Sequence, residues 1–482
     1  MVNREFDILT KSRQMVRFLS TAGTYLVKGT RVQKPNIVFV NIDQMHHKAI
    51  SAYGCKYART PNIDKIAAEG YSFMESYCAM PQCCPSRASW FTGRMSKEHG
   101  VVVNSYPIDP KIPDLGQWLR EGGYETVYTG KWHVSGRNVA DSFKVLHSGS
   151  GHGELGDSTV ARSAVAYLKN RSGDKPFFLS VGLLNPHDCC FPASIDGGPG
   201  KYAFASKIKD KLPPLPENFS YDYKDNGSPK TSKWSLRDWR YYIYSYYRMA
   251  EMVDAEVGRI YDAVRNGPYS QNTLFILTAD HGDGLGFHAK VSKGYLEEEA
   301  SRVPAIVSWP GKIKQGAQDT QHLVSGVDIA ATICDYAGVP PLPKMTIARS
   351  WRPLLEGREV KWRDYVICET SVGQLSVCVR DMNFKSIIYE DGTRLYDIQK
   401  DPLETNNLAD NPKYATVKNR HRELFREYLS QIEIYPGPTD LNKKSTTQKR
   451  ARAVRRNTRQ PSAQSNLYRA YVKWYEKVKA EE

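Results

Sequence analysis

The stretch PQCCPSRASWFTGR at 81–94 joins a thiol pair to the start of a helix. Pro85 suits the first helical turn, where its missing N–H costs nothing, and the free N–H groups of such a start draw an anion. Neighbouring Cys83 and Cys84 seldom close a disulfide in good geometry, and Pro85 restricts the backbone of Cys84. A chemical role for this pair is therefore expected in preference to a structural one.

Other reactive types recur at one kind of place. Apolar, β-branched runs at 36–44 (NIVFVNIDQ), 124–133 (YETVYTGKWH), 175–188 (KPFFLSVGLLNPHD) and 273–283 (TLFILTADHGD) each end in polar residues, and 303–311 (VPAIVSWPG) reads as a further strand. Asp43, Lys131, His133, His187, Asp280 and His281 fall at or just past these ends. Ligands of parallel α/β sheets bind outside the carboxyl ends of the strands. A lone Asp or His after a strand is more often a cap or a solvated loop residue; the joint placement reverses that reading.

Helical patterns at 62–70, 114–123, 158–170 and 236–266 separate the strands. Continuous apolar strands alternating with helices predict an α/β fold with a large, mostly parallel or mixed sheet sandwiched by helices. After about residue 365 the texture becomes alternating strands with a Glu-Asp-Gly turn signal, then a helix through HRELFREYLSQIE. A small C-terminal antiparallel subdomain is expected there. The expected organisation is an N-terminal extension at 1–34, a catalytic domain at 35–365, the C-terminal α+β subdomain at 366–435 and a basic tail at 436–482.

The chain has 482 residues and a formal charge of +15. From Pro436 to Glu482 there are 12 Lys/Arg against 4 Asp/Glu, so much of the excess belongs to the tail. Its stretch KKSTTQKRARAVRRNTRQPSAQS is expected to be a solvated extension that attracts polyanions, with no nucleic-acid role. Nine cysteines without metal-knuckle spacing favour neither a disulfide framework nor a zinc ribbon. No apolar run suggests a membrane span, and the amino end lacks a convincing signal-peptide apolar core.

Cys83, Pro85, Ser86 and Arg87, followed by Thr92-Gly93-Arg94, match C-x-P-S-R-x-x-x-x-T-G-R. On this motif the chain resembles the formylglycine-dependent sulfatases of the alkaline phosphatase superfamily. Asp43-Gln44, Tyr53-Gly54, Thr60-Pro61-Asn62-Ile63-Asp64, Gly130-Lys131-Trp132-His133, Asn185-Pro186-His187, Asp280-His281-Gly282 through His288 to Lys293, and TRLYDIQKDPLETNNLAD at 393–410 resemble further family segments in the expected order.

The resemblance implies an alkaline phosphatase-like fold and a maturation enzyme that converts Cys83 to formylglycine. One hydroxyl of the hydrated aldehyde attacks sulfur, and the second expels sulfate by reforming the aldehyde. It also implies a divalent metal held by Asp43, Gln44, Cys83, Asp280 and His281. Ca²⁺ is the expected ion; Gln44 and His281 stand where many members carry Asp and Asn, which admits Mn²⁺. Arg87 holds the modified residue. Lys131, His187 and Lys293 neutralise the sulfuryl group, with His187 or Lys293 protonating the leaving alcohol, and His133 accepts the proton of the second hydroxyl.

His46 and His288 are weaker candidates for substrate contact. The tyrosine-rich run at 239–253 has the spacing of a packed helix, and Cys189-Cys190 either shape the pocket or are small core residues. The implied substrate is a sulfated carbohydrate. Two alternatives stand beside it: a phosphonate monoester or phosphodiester hydrolase of the same superfamily, and a non-catalytic polyanion-binding protein. Family habit suggests export or a periplasmic location.

Overall fold

The computed structural model describes residues 34–149, 151–194, 198–201, 207–220, 231–435 and 461–480. Residues 1–33 of the expected extension at 1–34, and residues 436–460 and 481–482 of the tail, lie outside the described residues. β1 (Asn36–Ile42) is buried along its whole length. Its alternating side chains serve two cores: Val38, Val40 and Ile42 join one apolar cluster, Ile37 and Phe39 the other. This period of two is how a strand covered on both faces must distribute its apolar residues.

Around β1 stand β2 (Tyr71–Phe73), β3 (Glu125–Gly130), β4 (Lys144–His147), β5 (Phe177–Leu183), β6 (Thr273–Ala279), β7 (Ala305–Ser308) and β8 (Ala317–Asp319), in the order β4-β3-β5-β1-β6-β7-β2-β8. β1 runs parallel to β5 and β6, with Val40 opposite Val181 and Leu277. β7 runs antiparallel to β6 and β2, so the sheet is mixed.

The cores are closed by α1 (Pro61–Ala68), α2 (Cys83–Thr92), α3 (Leu115–Glu121), α4 (Gly153–Asn170), α5 (Leu236–Arg265) and α6 (Asp328–Ala337). Ile63, Val160 and Val257 place α1, α4 and α5 on one face of the sheet; Ala88, Leu119 and Ile333 place α2, α3 and α6 on the other. The longest of them, α5, opens with a capping box in which the Asp238 carboxylate accepts from Ser235 N at 2.8 Å and Ser235 Oγ accepts from Asp238 N at 3.2 Å. Such a cap stabilises a helix by about 1 kcal/mol. Its Trp239, Tyr242, Tyr246 and Tyr247 are buried, as the helical spacing requires.

β9 (Tyr365–Thr370), β10 (Ser376–Asp381), β11 (Phe384–Tyr389) and β12 (Thr393–Asp397) form the small antiparallel sheet, an unbroken meander. α7 (Ala415–Gln431) covers it, Phe425 and Leu429 packing with Val377 and Val379. The end of the tail, past the stretch expected to be solvated, packs on the same core. α8 (Pro461–Ala480) is a helix whose Tyr471, Trp474 and Tyr475 are buried in this same core, the Trp474 ring 5.8 Å from that of Phe425. Three aromatics on one helical face outweigh the local excess of cations, so this part of the tail is not a solvated extension.

Candidate active site

The carboxyl ends of β1, β3, β5 and β6 and the amino end of α2 converge on one buried centre. Cys83 is the first residue of α2, and the Gln82 side chain makes no cap bond there. The second half of the motif ends the helix: Thr92 Oγ1 donates to Ala88 O at 2.7 Å, and Gly93 at φ +68° takes the left-handed turn. Arg94 then donates to Pro343 O from Nε and Nη2, at 3.1 and 2.8 Å. Cys84 faces away from the centre, its Sγ 3.2 Å from Ser135 Oγ.

Cys83 Sγ lies 3.1 Å from His281 Nε2 and 3.7 Å from Asp43 Oδ1. One donor atom from each of Asp43, Cys83, Asp280 and His281 falls within 4.8 Å of the others, and all four residues are buried. His281 Nδ1 lies 2.8 Å from Gly282 O, so it carries a proton toward that carbonyl and leaves Nε2 facing the cluster. Burial, together with repulsion from Asp43, pushes the Asp280 carboxyl above its usual range. Against the effect of burial, Asp280 and Cys83 raise the His281 imidazole to about 9, so its Nε2 would give up a proton to bind an ion; with that proton gone, two converging buried carboxylates and the imidazole are a donor set that fits a divalent cation.

Arg87 locks the two carboxylates together. Its Nε donates to Asp280 Oδ2 at 2.9 Å and Nη2 to Asp43 Oδ2 at 3.2 Å, while Nη1 serves Asn41 Oδ1 and Lys131 O, both at 2.9 Å. The Lys131 ammonium also pairs with Asp43 Oδ2. Burial alone would raise the Asp43 carboxyl; Lys131, His187, Arg87 and His281 outweigh it and hold it well below the usual range. Burial and Asp43 likewise oppose ionisation of the Cys83 thiol, yet Lys293, Lys131 and His281 bring it well below an ordinary thiol. The centre is built to stabilise negative charge at residue 83.

Gln44, at φ +65°, turns the chain sharply after β1, and its N–H donates to Asp280 Oδ1 at 2.9 Å. Its Oε1 meets the Lys293 ammonium, and its Nε2 donates to Asp283 Oδ2 at 2.6 Å. Asp283 had no place in the sequence reading. Neither had Asn41, although a polar residue inside an apolar strand was a visible signal. Tyr242 Oη donates to Asp283 Oδ1 at 2.9 Å and Tyr246 Oη to Gln44 O at 2.5 Å, so two tyrosines of the packed helix also brace the site. Cys189 Sγ lies 3.3 Å from Gln44 Nε2, a wall position.

His133 and His187 are half-buried, and the Nδ1 atom of each lacks a partner among the described residues. Burial, with Lys293 and Lys131, pushes the His187 imidazole down to about 4 against the pull of Asp43. Lys293 opens into a groove of about 650 Å³ lined also by Cys190, Tyr295, Val372, Gln374 and Tyr389. The two weaker histidines sit apart from that groove. His46 is buried, its ring stacked 4.8 Å from His47, with Nδ1 accepting from Lys48 N at 2.9 Å. His288 is buried against Glu299, Nδ1 to Oε1 at 2.8 Å.

A family model described as Sulfatase matches residues 35–339, and one described as N-sulphoglucosamine sulphohydrolase, C-terminal, matches 286–431. A Δ4,5-hexuronate-2-O-sulfatase of Bacteroides thetaiotaomicron is 30% identical over 439 residues, covering 83% of this chain and 89% of that protein. The solved structure of a 2-O GAG sulfatase superposes with a TM-score of 0.72 at 29% identity, over 82% of this chain and 92% of that one. The phosphonate monoester hydrolase of Agrobacterium radiobacter shares the fold, with a TM-score of 0.68 at 23% identity over 82% and 96% of the two chains. The chain belongs to the sulfatase family of the alkaline phosphatase superfamily and is a sulfuric ester hydrolase.

Proposed function

We propose that the protein hydrolyses sulfate esters of sulfated carbohydrates, with a formylglycine made from Cys83 supplying the nucleophilic hydroxyl. The observation that carries this reading is the position of Cys83: first residue of α2, buried among Asp43, Asp280, His281, Lys131 and Lys293. An anion at that place meets the helix amino end and two ammonium groups. The name of the relative at 30% identity makes a 2-O-sulfated hexuronate the first substrate to try.

Asp43, Asp280 and His281, with Gln44 and residue 83, would hold a divalent cation, Ca²⁺ in this reading. Such an ion lowers the pKa of a bound hydroxyl and polarises the S–O bonds. The chain's own residues do the rest. Arg87 fixes both carboxylates, so the ligands keep their spacing before substrate arrives. Lys131 and Lys293 neutralise charge that develops on the sulfuryl oxygens. Of the two candidates to protonate the departing alcohol, Lys293 holds a proton to give, whereas His187, pushed down to about 4, is the weaker donor; the Nδ1 of His133, without a partner among the described residues, takes a proton from a hydroxyl at residue 83. The groove beside Lys293 receives the sugar.

Sulfate release from a 2-O-sulfated unsaturated uronate disaccharide, compared with its 6-O-sulfated hexosamine counterpart, tests the substrate reading. Preference for the first supports it; turnover of the second alone sinks the uronate assignment.

A further inference from the structure

The matched family models end at residue 431, and α8 lies beyond them. Trp474 and Tyr475 attach it by packing on Phe425, and Arg426 Nε donates to Val478 O at 3.4 Å. The Tyr471 hydroxyl is spent elsewhere. It pairs with Ser371 Oγ and donates to Thr370 O at 3.2 Å, at the turn that joins β9 to β10. Tyr475 Oη reaches Glu369 Oε1 at 3.1 Å, one residue earlier in the same strand.

That turn is a wall of the groove beside Lys293, to which Thr370, Val372, Gly373 and Gln374 contribute. It also touches the lysine's own segment. Thr370 Oγ1 donates to Gly294 O at 2.9 Å, and a Cβ on Gly294 would meet Val372 Cγ1 at 2.7 Å, so the Val372 side chain packs on this segment only with glycine there. Lys97, wholly buried, lies under the Tyr471 ring with Nζ 3.5 Å from Ser371 Oγ. A continuous path of contacts thus joins α8 to Lys293: Tyr471 to Thr370 and Ser371, and Thr370 to Gly294.

We propose that Tyr471 is a positioning residue for sugar binding, holding the 370–374 turn against the Lys293–Gly294 segment so that the groove keeps its shape. This rests on the sulfatase reading and assigns the carboxyl-terminal helix a part in substrate recognition. Tyr471 bonds only the turn, and Lys293 keeps its own partner in Gln44 Oε1, so loss of the hydroxyl loosens the groove wall and leaves the ammonium in place: binding of a large leaving group should suffer while turnover does not.

The test uses full-length, matured protein and Tyr471→Phe, which keeps the ring over Lys97 and removes only the hydroxyl. With a sulfated disaccharide KM should rise roughly fivefold, the effect of one or two lost hydrogen bonds, while kcat stays within about twofold. A small aryl sulfate, which does not fill the groove, should keep its KM. Amide exchange at 370–376 should quicken in the variant and stay unchanged in β1 and β6. Unaltered disaccharide KM with unaltered exchange at 370–376 overturns the proposal, as does an equal loss on both substrates. If wild-type protein cleaves no sulfate ester, the sulfatase reading fails by itself, and the exchange measurement alone decides whether Tyr471 holds the turn.

Discussion

Asp283 accepts the Gln44 side-chain N–H at 2.6 Å, and this bond decides which end of the Gln44 amide faces Lys293 and the buried centre. The amide nitrogen is drawn to the carboxylate, so Oε1 is left toward the site. Asp283 is itself held by Tyr242 Oη at 2.9 Å and by the backbone N–H groups of Leu285 and Ser292, at 2.7 and 3.0 Å. It therefore ties Gln44 to the segment that carries Lys293.

Replacing Asp283 with Asn should free the Gln44 amide to flip and weaken Ca²⁺ binding by about 10- to 100-fold, the usual cost of losing an outer-shell partner. Calorimetric Ca²⁺ titration reads this directly. Equal affinity in Asp283→Asn and wild type would show that Gln44 needs no such support, or does not ligate.

His133→Ala should slow release of sulfate from the enzyme more than cleavage of the ester. Quenched-reaction mass spectrometry should then find protein carrying a covalent sulfo group during turnover, with kcat lowered by about 10²- to 10⁴-fold. Loss of cleavage without any sulfated protein would remove His133 from the second step.

The main sheet was legible because its parallel strands are buried on both faces and so read as unbroken apolar runs, as NIVFVNI does at 36–42. The residues after those strands were legible for the same reason: the strand ends announced them. Three-residue strands such as Tyr71–Phe73 and Ala317–Asp319 were not, since a pattern of period two needs more positions to show itself. Asp283 escaped because its role depends on Gln44, 239 residues away in sequence. The aromatic face of α8 was written in YVKWYEKV at 471–478, but the cationic stretch before it dominated the reading of the tail.

Acid should unfold the protein through the junction of its two parts. Glu298 contacts Lys385 at 3.0 Å and Arg302 at 3.4 Å, with Tyr77 at 3.0 Å and Arg380 within electrostatic reach; Lys385 in turn pairs with Glu404 at 2.8 Å. Burial would raise the Glu298 carboxyl, but these cations bring it from 4.5 to about 2. A folded-state pKa below the unfolded one adds stability at all pH above the unfolded value, and that stability is lost as pH falls through 4.5 toward 2. Urea denaturation at about pH 5 and about pH 3 should show the loss, and Lys385→Met should start less stable and lose less over that interval. Parallel losses in both proteins would place the acid sensitivity elsewhere.

Cys83 supplies the nucleophile in the proposed reaction. The most direct test is inorganic sulfate release from sulfated uronate and hexosamine saccharides, with matched phosphonate esters alongside, by protein co-produced with a formylglycine-generating enzyme and by Cys83→Ala. The matured protein should release sulfate and the variant none above background. Peptide mass showing Cys83 converted, with phosphonate cleaved in preference to every sulfate ester, would contradict it.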